Sequence, residues 1–109
     1  MNTNCFSNQS LILNQESNKS IQLNECIENL KKNNFRLAVS YSKKALDLKN
    51  DDFSALMLHT ISLLHIKKFQ ESRYYKIRAK NSASTDVQIE ACERLLQIID
   101  YQASFNLIQ

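Results

Sequence analysis

The sequence predicts an all-α fold, two antiparallel helix hairpins closed by one long C-terminal helix, and three observations carry that prediction. The stretch Leu30 to Ala45 recurs in outline as Leu64 to Ala79, 34 residues further on. At that shift Ile27/Ile61, Leu30/Leu64, Phe35/Phe69, Tyr41/Tyr75 and Ala45/Ala79 are identities, while Cys26/Thr60, Ala38/Ser72 and Lys44/Arg78 keep size or charge. Between the breaks, apolar residues fall at helical spacing. The 109 residues contain neither Gly nor Pro, so tight turns with positive dihedrals, phosphate-cradling loops and most hairpin-rich β architectures lack their usual residues. A period of 34 built on two amphipathic segments marks hairpins that bury their apolar sides only by stacking, here a short right-handed α-solenoid.

In order along the chain, residues 1–16 are dominated by Asn, Gln and Ser around Leu11 to Leu13 and read as a flexible arm. From Ser17, Ile21, Leu23, Cys26, Ile27 and Leu30 form one stripe of a first helix that ends near Lys32. Asn33-Asn34 is the turn, because Asn tolerates left-handed backbone. The second helix starts at Phe35 and ends near Lys49, and Asn50-Asp51-Asp52 closes repeat one (17–50) and places acid at the start of the next helix. In repeat two (51–84), Phe53, Leu56, Met57, Thr60, Ile61, Leu63 and Leu64 make a helix that is apolar on more than one side, as a central element should be. Lys67-Lys68-Phe69 then repeats the turn, and a fourth helix runs through Tyr74, Tyr75, Ile77 and Ala79. Thr85 and Gln88 have the spacing of a capping box, and 85–109 form the capping helix. Its 20-odd residues rise about 33 Å against about 21 to 24 Å for the others, so the end around Phe105, Leu107 and Ile108 is expected to overhang and to mediate self-association or docking.

Composition narrows the function classes. The net charge of +3 conceals a basic middle: between Lys31 and Lys80 twelve Lys or Arg stand against four acids, +8, while the flanks carry −5. Solvated helix faces account for such an asymmetry, and an anionic partner is the alternative. Cys5, Cys26 and Cys92 are odd in number and widely spaced, which speaks against a disulfide framework or zinc site. Cys26 and Cys92 lie on apolar stripes and are expected in the core, in a reduced, cytoplasmic setting. No run is long or apolar enough for a signal core or membrane span. His59 and His65, six apart, do not share a face and read as surface or partly buried. No set of nucleophile, base and orienting group stands out, so neither catalysis nor a cofactor is expected.

From Ile21 to Ala79 the chain resembles two tetratricopeptide repeats. That family places a small residue three after an aromatic and an alanine seven further on, here Phe35, Ala38, Ala45 and again Phe69, Ser72, Ala79. Close crossing of paired helices demands the small side chains, and the aromatic fills the wedge at the turn. The proline between repeats in the family is replaced by Asn50, and the bulky-small pair of the first helix is blurred around Glu25-Cys26. The layout is similar to the last two repeats and final helix of large immunophilins, which clamp a carboxylate with an Asn and two cations. Asn24 matches the Asn, but Ser54 and Leu58 stand in place of the cations, so that clamp is not expected.

What the resemblance implies is an adaptor or accessory subunit, a scaffold for protein–protein interaction with a concave side lined by the first helix of each hairpin. That surface would comprise Leu23, Asn24, Ile27, Leu30, Lys31, Met57, Leu58, Ile61, Leu64 and His65. It is largely apolar and suits a partner helix or peptide, each fully covered side chain contributing roughly 1.5 to 3 kcal/mol. Leu11 to Leu13 of the arm could fill the same groove. The alternative is RNA or single-stranded nucleic acid bound through the basic second helices, at Lys43, Lys44, Lys67, Lys68, Arg73, Lys76, Arg78 and Lys80.

Overall fold

The computed structural model describes the backbone of residues 3–108 and the side chains of residues 15–105. It is all-helical: α1 (Thr3–Lys31), α2 (Phe35–Leu48), α3 (Phe53–His65), α4 (Phe69–Ser82) and α5 (Asp86–Ile108), with no strand among the described residues. Each helix packs on the next across a short connection, and α1 also meets α3. The predicted hairpins and closing helix are thus present.

The two turns inside the hairpins are built alike. Asn33 and Lys67, 34 apart, have φ of 63° and 64°. Around the first, the Asn33 and Asn34 amides donate to the Leu30 and Asn29 carbonyls; around the second, Lys67 and Lys68 donate to Leu64 and Leu63. Both are Schellman motifs, in which one left-handed residue lets its own amide and the next satisfy carbonyls at the helix end. Asn accepts that backbone at low cost, whereas Lys has no such preference.

At the crossings the expected small residues are completely buried: Cys26, Ala38 and Ala45 in the first hairpin, Thr60, Ser72 and Ala79 in the second. The core continues through Leu46, Ala55 and Leu56 to Cys92, Leu95 and Ile99 of α5. Thr60 Oγ1 donates to the Leu56 carbonyl at 2.7 Å and Ser72 Oγ to the Thr60 carbonyl at 3.1 Å, so the polar crossing residues are satisfied. Both described thiols are buried as expected, and burial pushes each thiol pKa up, toward an inert small hydrophobe.

Three expectations change. The helix start near Ser17 is not there: α1 runs on to Thr3. Extending a helix already held by packing is cheap compared with nucleating one, and no Gly or Pro interrupts 3–31. His59 is fully buried, 3% exposed, because α3 is covered by α1, α2 and α4; its counterpart Glu25 on the edge helix α1 is exposed. Lys76, assigned to a basic outer face, is 4% exposed, its long apolar stem covered.

The connections to α3 and α5 carry the caps. Asp52 accepts from the Ala55 amide at 3.0 Å and receives Lys19 of α1 at 2.8 Å, tying α1 to the start of α3. Burial works to raise the Asp52 pKa, but the Lys19 and Ala55 hydrogen bonds outweigh it and hold the carboxyl low. At α5 the Gln88 amide donates to Thr85 Oγ1 at 3.1 Å as a capping box requires. The Gln88 carbonyl oxygen, however, accepts from Ser84, one residue before the cap.

Candidate binding groove

Along α1 the spacing of Ser20, Leu23, Asn24 and Ile27 puts these residues on one face, and on α3 Phe53, Ser54, Met57 and Leu58 do the same. The two faces line a groove of about 420 Å³. Five of the residues expected on the concave side, Leu23, Asn24, Ile27, Met57 and Leu58, therefore meet here, joined by Phe53, whose place at the start of α3 does not by itself mark it as lining. Leu23, Phe53 and Met57 are anchored from beneath by the core, and Met57 Sδ lies 3.8 Å from Cys92 Sγ. The floor is apolar and held in place; Ser20, Asn24 and Ser54 form an exposed polar edge.

Ile61, Leu64 and His65 belong elsewhere. They line a second groove of about 450 Å³ with Lys67, Leu95, Ile98 and Gln102, between α3 and α5. The single concave surface read from the sequence is thus two grooves, one at each end of α3. Leu30 and Lys31 line neither: Leu30 is partly buried, and Lys31 is exposed and paired with Glu28 at 3.4 Å. His65 is exposed, with its ring stacked on Phe35 at 4.2 Å and 3°, so the end of α3 is braced against the start of α2. Residues 11–13 are backbone-helical and continue α1 toward Thr3 instead of folding back over the groove; their side chains lie outside the described residues.

Asn24, Ser54 and Leu58 line the first groove together. No Lys or Arg lines it, and a carboxylate bound there would have serine and asparagine as its only side-chain donors.

The basic second helices are largely engaged within the chain. Lys43 pairs with Asp47 at 2.7 Å, Lys68 with Glu71 at 3.8 Å, Lys80 with Glu93 and Arg73 with Asp100. Arg78 lies over Tyr74 and Tyr75 and donates to the Asn50 carbonyl, and Lys44 lies over the Tyr41 ring. These contacts join α4 to α5 and to the α2–α3 connection.

Beneath the grooves, α1, α2 and α3 meet in a buried polar cluster. Cys26 Sγ lies 3.5 Å from Ser62 Oγ, and Ser42 Oγ is 2.7 Å from His59 Nδ1. Ser42 Oγ also donates to the Val39 carbonyl at 3.0 Å, which leaves it to accept from an Nδ1–H tautomer of His59. The His59 ring meets Tyr75 edge-on at 4.5 Å. Burial first, and then the charges of Lys43 and Arg78, lower the His59 pKa to about 4. The cluster is buried, with only the His59 ring reaching the floor of a hollow beside Lys43 and Tyr75, and it packs the helices together.

On α5 the apolar stripe divides. Leu95 and Ile99 face inward, whereas Ile98 and Phe105 are about half exposed. The side chains of Leu107 and Ile108 lie outside the described residues. Among the described residues no group of three or more His, Cys, Asp or Glu could hold a metal ion, and no helix is long and apolar enough to cross a membrane. Compared with protein families, curated proteins and solved structures, the chain finds no match in any of the three.

Proposed function

We propose that the chain is a non-catalytic protein–protein interaction module of tetratricopeptide type, an adaptor or accessory subunit that seats an apolar partner helix or segment between α1 and α3. The observation that carries this reading is the groove itself. Its floor of Leu23, Ile27, Phe53, Met57 and Leu58 is partly accessible, held through Leu23, Phe53 and Met57 packed on the core, and rimmed by small polar groups. An apolar anchor entering it gains burial without displacing a charge, and Asn24, Ser20 and Ser54 can meet a passing backbone. A partner of a few large aliphatic or aromatic anchors at helical spacing fits that lining. Internal ion pairs at Lys43, Lys68, Arg73 and Lys80, half of the basic side chains that would hold a nucleic acid, favour this reading over that one.

The test is partner capture by the full chain, compared with Ser54→Arg, which puts a long cation on the exposed rim, and Leu58→Asp, which charges the floor. Proteins retained by the native chain should be lost from both variants while helical content is unchanged. Retention of the same proteins by both folded variants would remove the groove as the site. A parallel titration with single-stranded RNA at low and physiological salt should show binding, if any, only at low salt.

A further inference from the structure

The inward face of α5 is set by Cys92, Leu95 and Ile99. About a third of a turn round the helix runs a second series: Val87, Ala91, Arg94, Ile98, Tyr101 and Phe105, at alternating intervals of four and three residues. That alternation is the a/d spacing of a helix seam meant for another helix. Among the described residues most of it is open: Val87 is 77% exposed, Tyr101 68%, and Phe105 and Ile98 about half, Ile98 at the edge of the α3–α5 groove. The Tyr101 and Phe105 rings lie nearly parallel as neighbours on this face, 6.4 Å between centroids.

We propose that this seam pairs two copies of the chain through antiparallel α5 helices. Three features of the seam select a second copy, in that orientation, as the occupant. The series is graded: its first half is small or slender (Val87, Ala91) and its second half bulky (Tyr101, Phe105). Antiparallel pairing lays Tyr101 of one copy over Ala91 of the other and Phe105 over Val87, filling each gap with a ring; parallel pairing sets rings on rings and leaves Ala91 facing Ala91. Arg94 is the one charge in the series. In a parallel pair it would oppose its own copy, whereas in the antiparallel pair it lies beside Ile98, its stem on the apolar surface and its guanidinium held by Glu90 at 2.6 Å. Of the flanking positions, Gln88, Gln97, Gln102 and Ser104 are uncharged, and the one charged flank, Glu90, falls beside Ser104 of the other copy in the antiparallel pair, so like charges do not meet. The contact is the same patch on both copies and closes as a two-fold dimer. It stands independently of the α1–α3 groove.

Sedimentation of the full chain over a wide concentration range should show a monomer of 12.7 kDa passing to twice that mass. Tyr101→Glu and Phe105→Glu each enter the interface twice and should raise the Kd by at least about a hundredfold, with helical content and melting of the monomer unchanged. Orientation is read by mixing two single variants, Val87→Cys and Phe105→Cys, in a Cys5→Ser background and oxidising. A link between the two different variants is expected; links only within each variant mean parallel pairing and overturn the proposal. A chain that stays monomeric near millimolar concentration, or a dimer indifferent to both glutamates, overturns it as well. So does unfolding of both glutamate variants, since the side chains would then be core.

Discussion

The two hairpins solve one backbone problem with different side chains. Both turn through a left-handed residue with matching hydrogen bonds, and both bury three small residues at the crossing. At the turn, however, the first uses Asn and the second Lys; at the crossing, the first uses Cys and Ala where the second uses Thr and Ser with internal acceptors. Elsewhere the positions diverge by neighbourhood. Gln22 and Glu25 of α1 correspond to Leu56 and His59 of α3, and the α3 pair is sealed because α3 has helices around it. Size at the crossing is dictated by the repeat, and polarity by position in the stack.

The comparison is broken most severely at Leu56. Leu56→Ala should cost about 2 to 5 kcal/mol, since a fully buried side chain leaves a cavity between several helices. Gln22→Ala at the equivalent edge position should cost far less, and comparable losses in chemical denaturation would contradict the difference drawn between the two helices.

Acid comes next. His59 titrates near 6.5 when unfolded and near 4 when folded, so between those values the unfolded chain holds a proton that the folded chain lacks. Its contribution is complete above pH 6.5 and drains away as pH falls toward 4, by roughly 3 kcal/mol in all. Melting curves of the native chain should therefore fall between pH 7 and 4.5 more steeply than those of His59→Leu; parallel declines would refute the assignment.

Gln22 offers a gain. Its side-chain carbonyl oxygen is buried without a hydrogen-bond partner, so Gln22→Leu, which makes the α1 position resemble Leu56, should stabilise by about 1 kcal/mol or more. Unchanged or lower stability would mean that a hydrogen bond had been lost. The smallest effect belongs to the turns. Lys67→Asn should raise stability by about 0.5 to 1 kcal/mol and Asn33→Lys should lower it similarly, because Asn accepts the left-handed backbone more readily. Effects of equal sign for the two exchanges would show that the turns are not equivalent.

Much of this architecture is legible in the sequence because it rests on local rules. The 34-residue period located Ala38, Ala45, Ser72 and Ala79 at the crossings. Asn33 and the aligned Lys67 marked the left-handed turns, and Asp52 and Thr85 marked helix starts through hydrogen bonds made within three residues. The residues of the candidate groove were legible as helix faces, but not as a groove. Which faces of α1, α3 and α5 oppose one another depends on how the helices cross, and the packing placed Ile61, Leu64 and His65 against α5 while leaving Leu30 and Lys31 outside both hollows.

By itself, the sequence determined the number of helices, their breaks and the size of the residues between them, since these follow from spacing, capping and steric volume along a few turns of chain. Only the tertiary structure decided that His59 and Lys76 are covered, and which apolar face of α5 meets the core and which is left open. Burial is a property of neighbours. A helix pattern states which side of an element is apolar, but how many other elements stand against it is fixed only when all of them are packed.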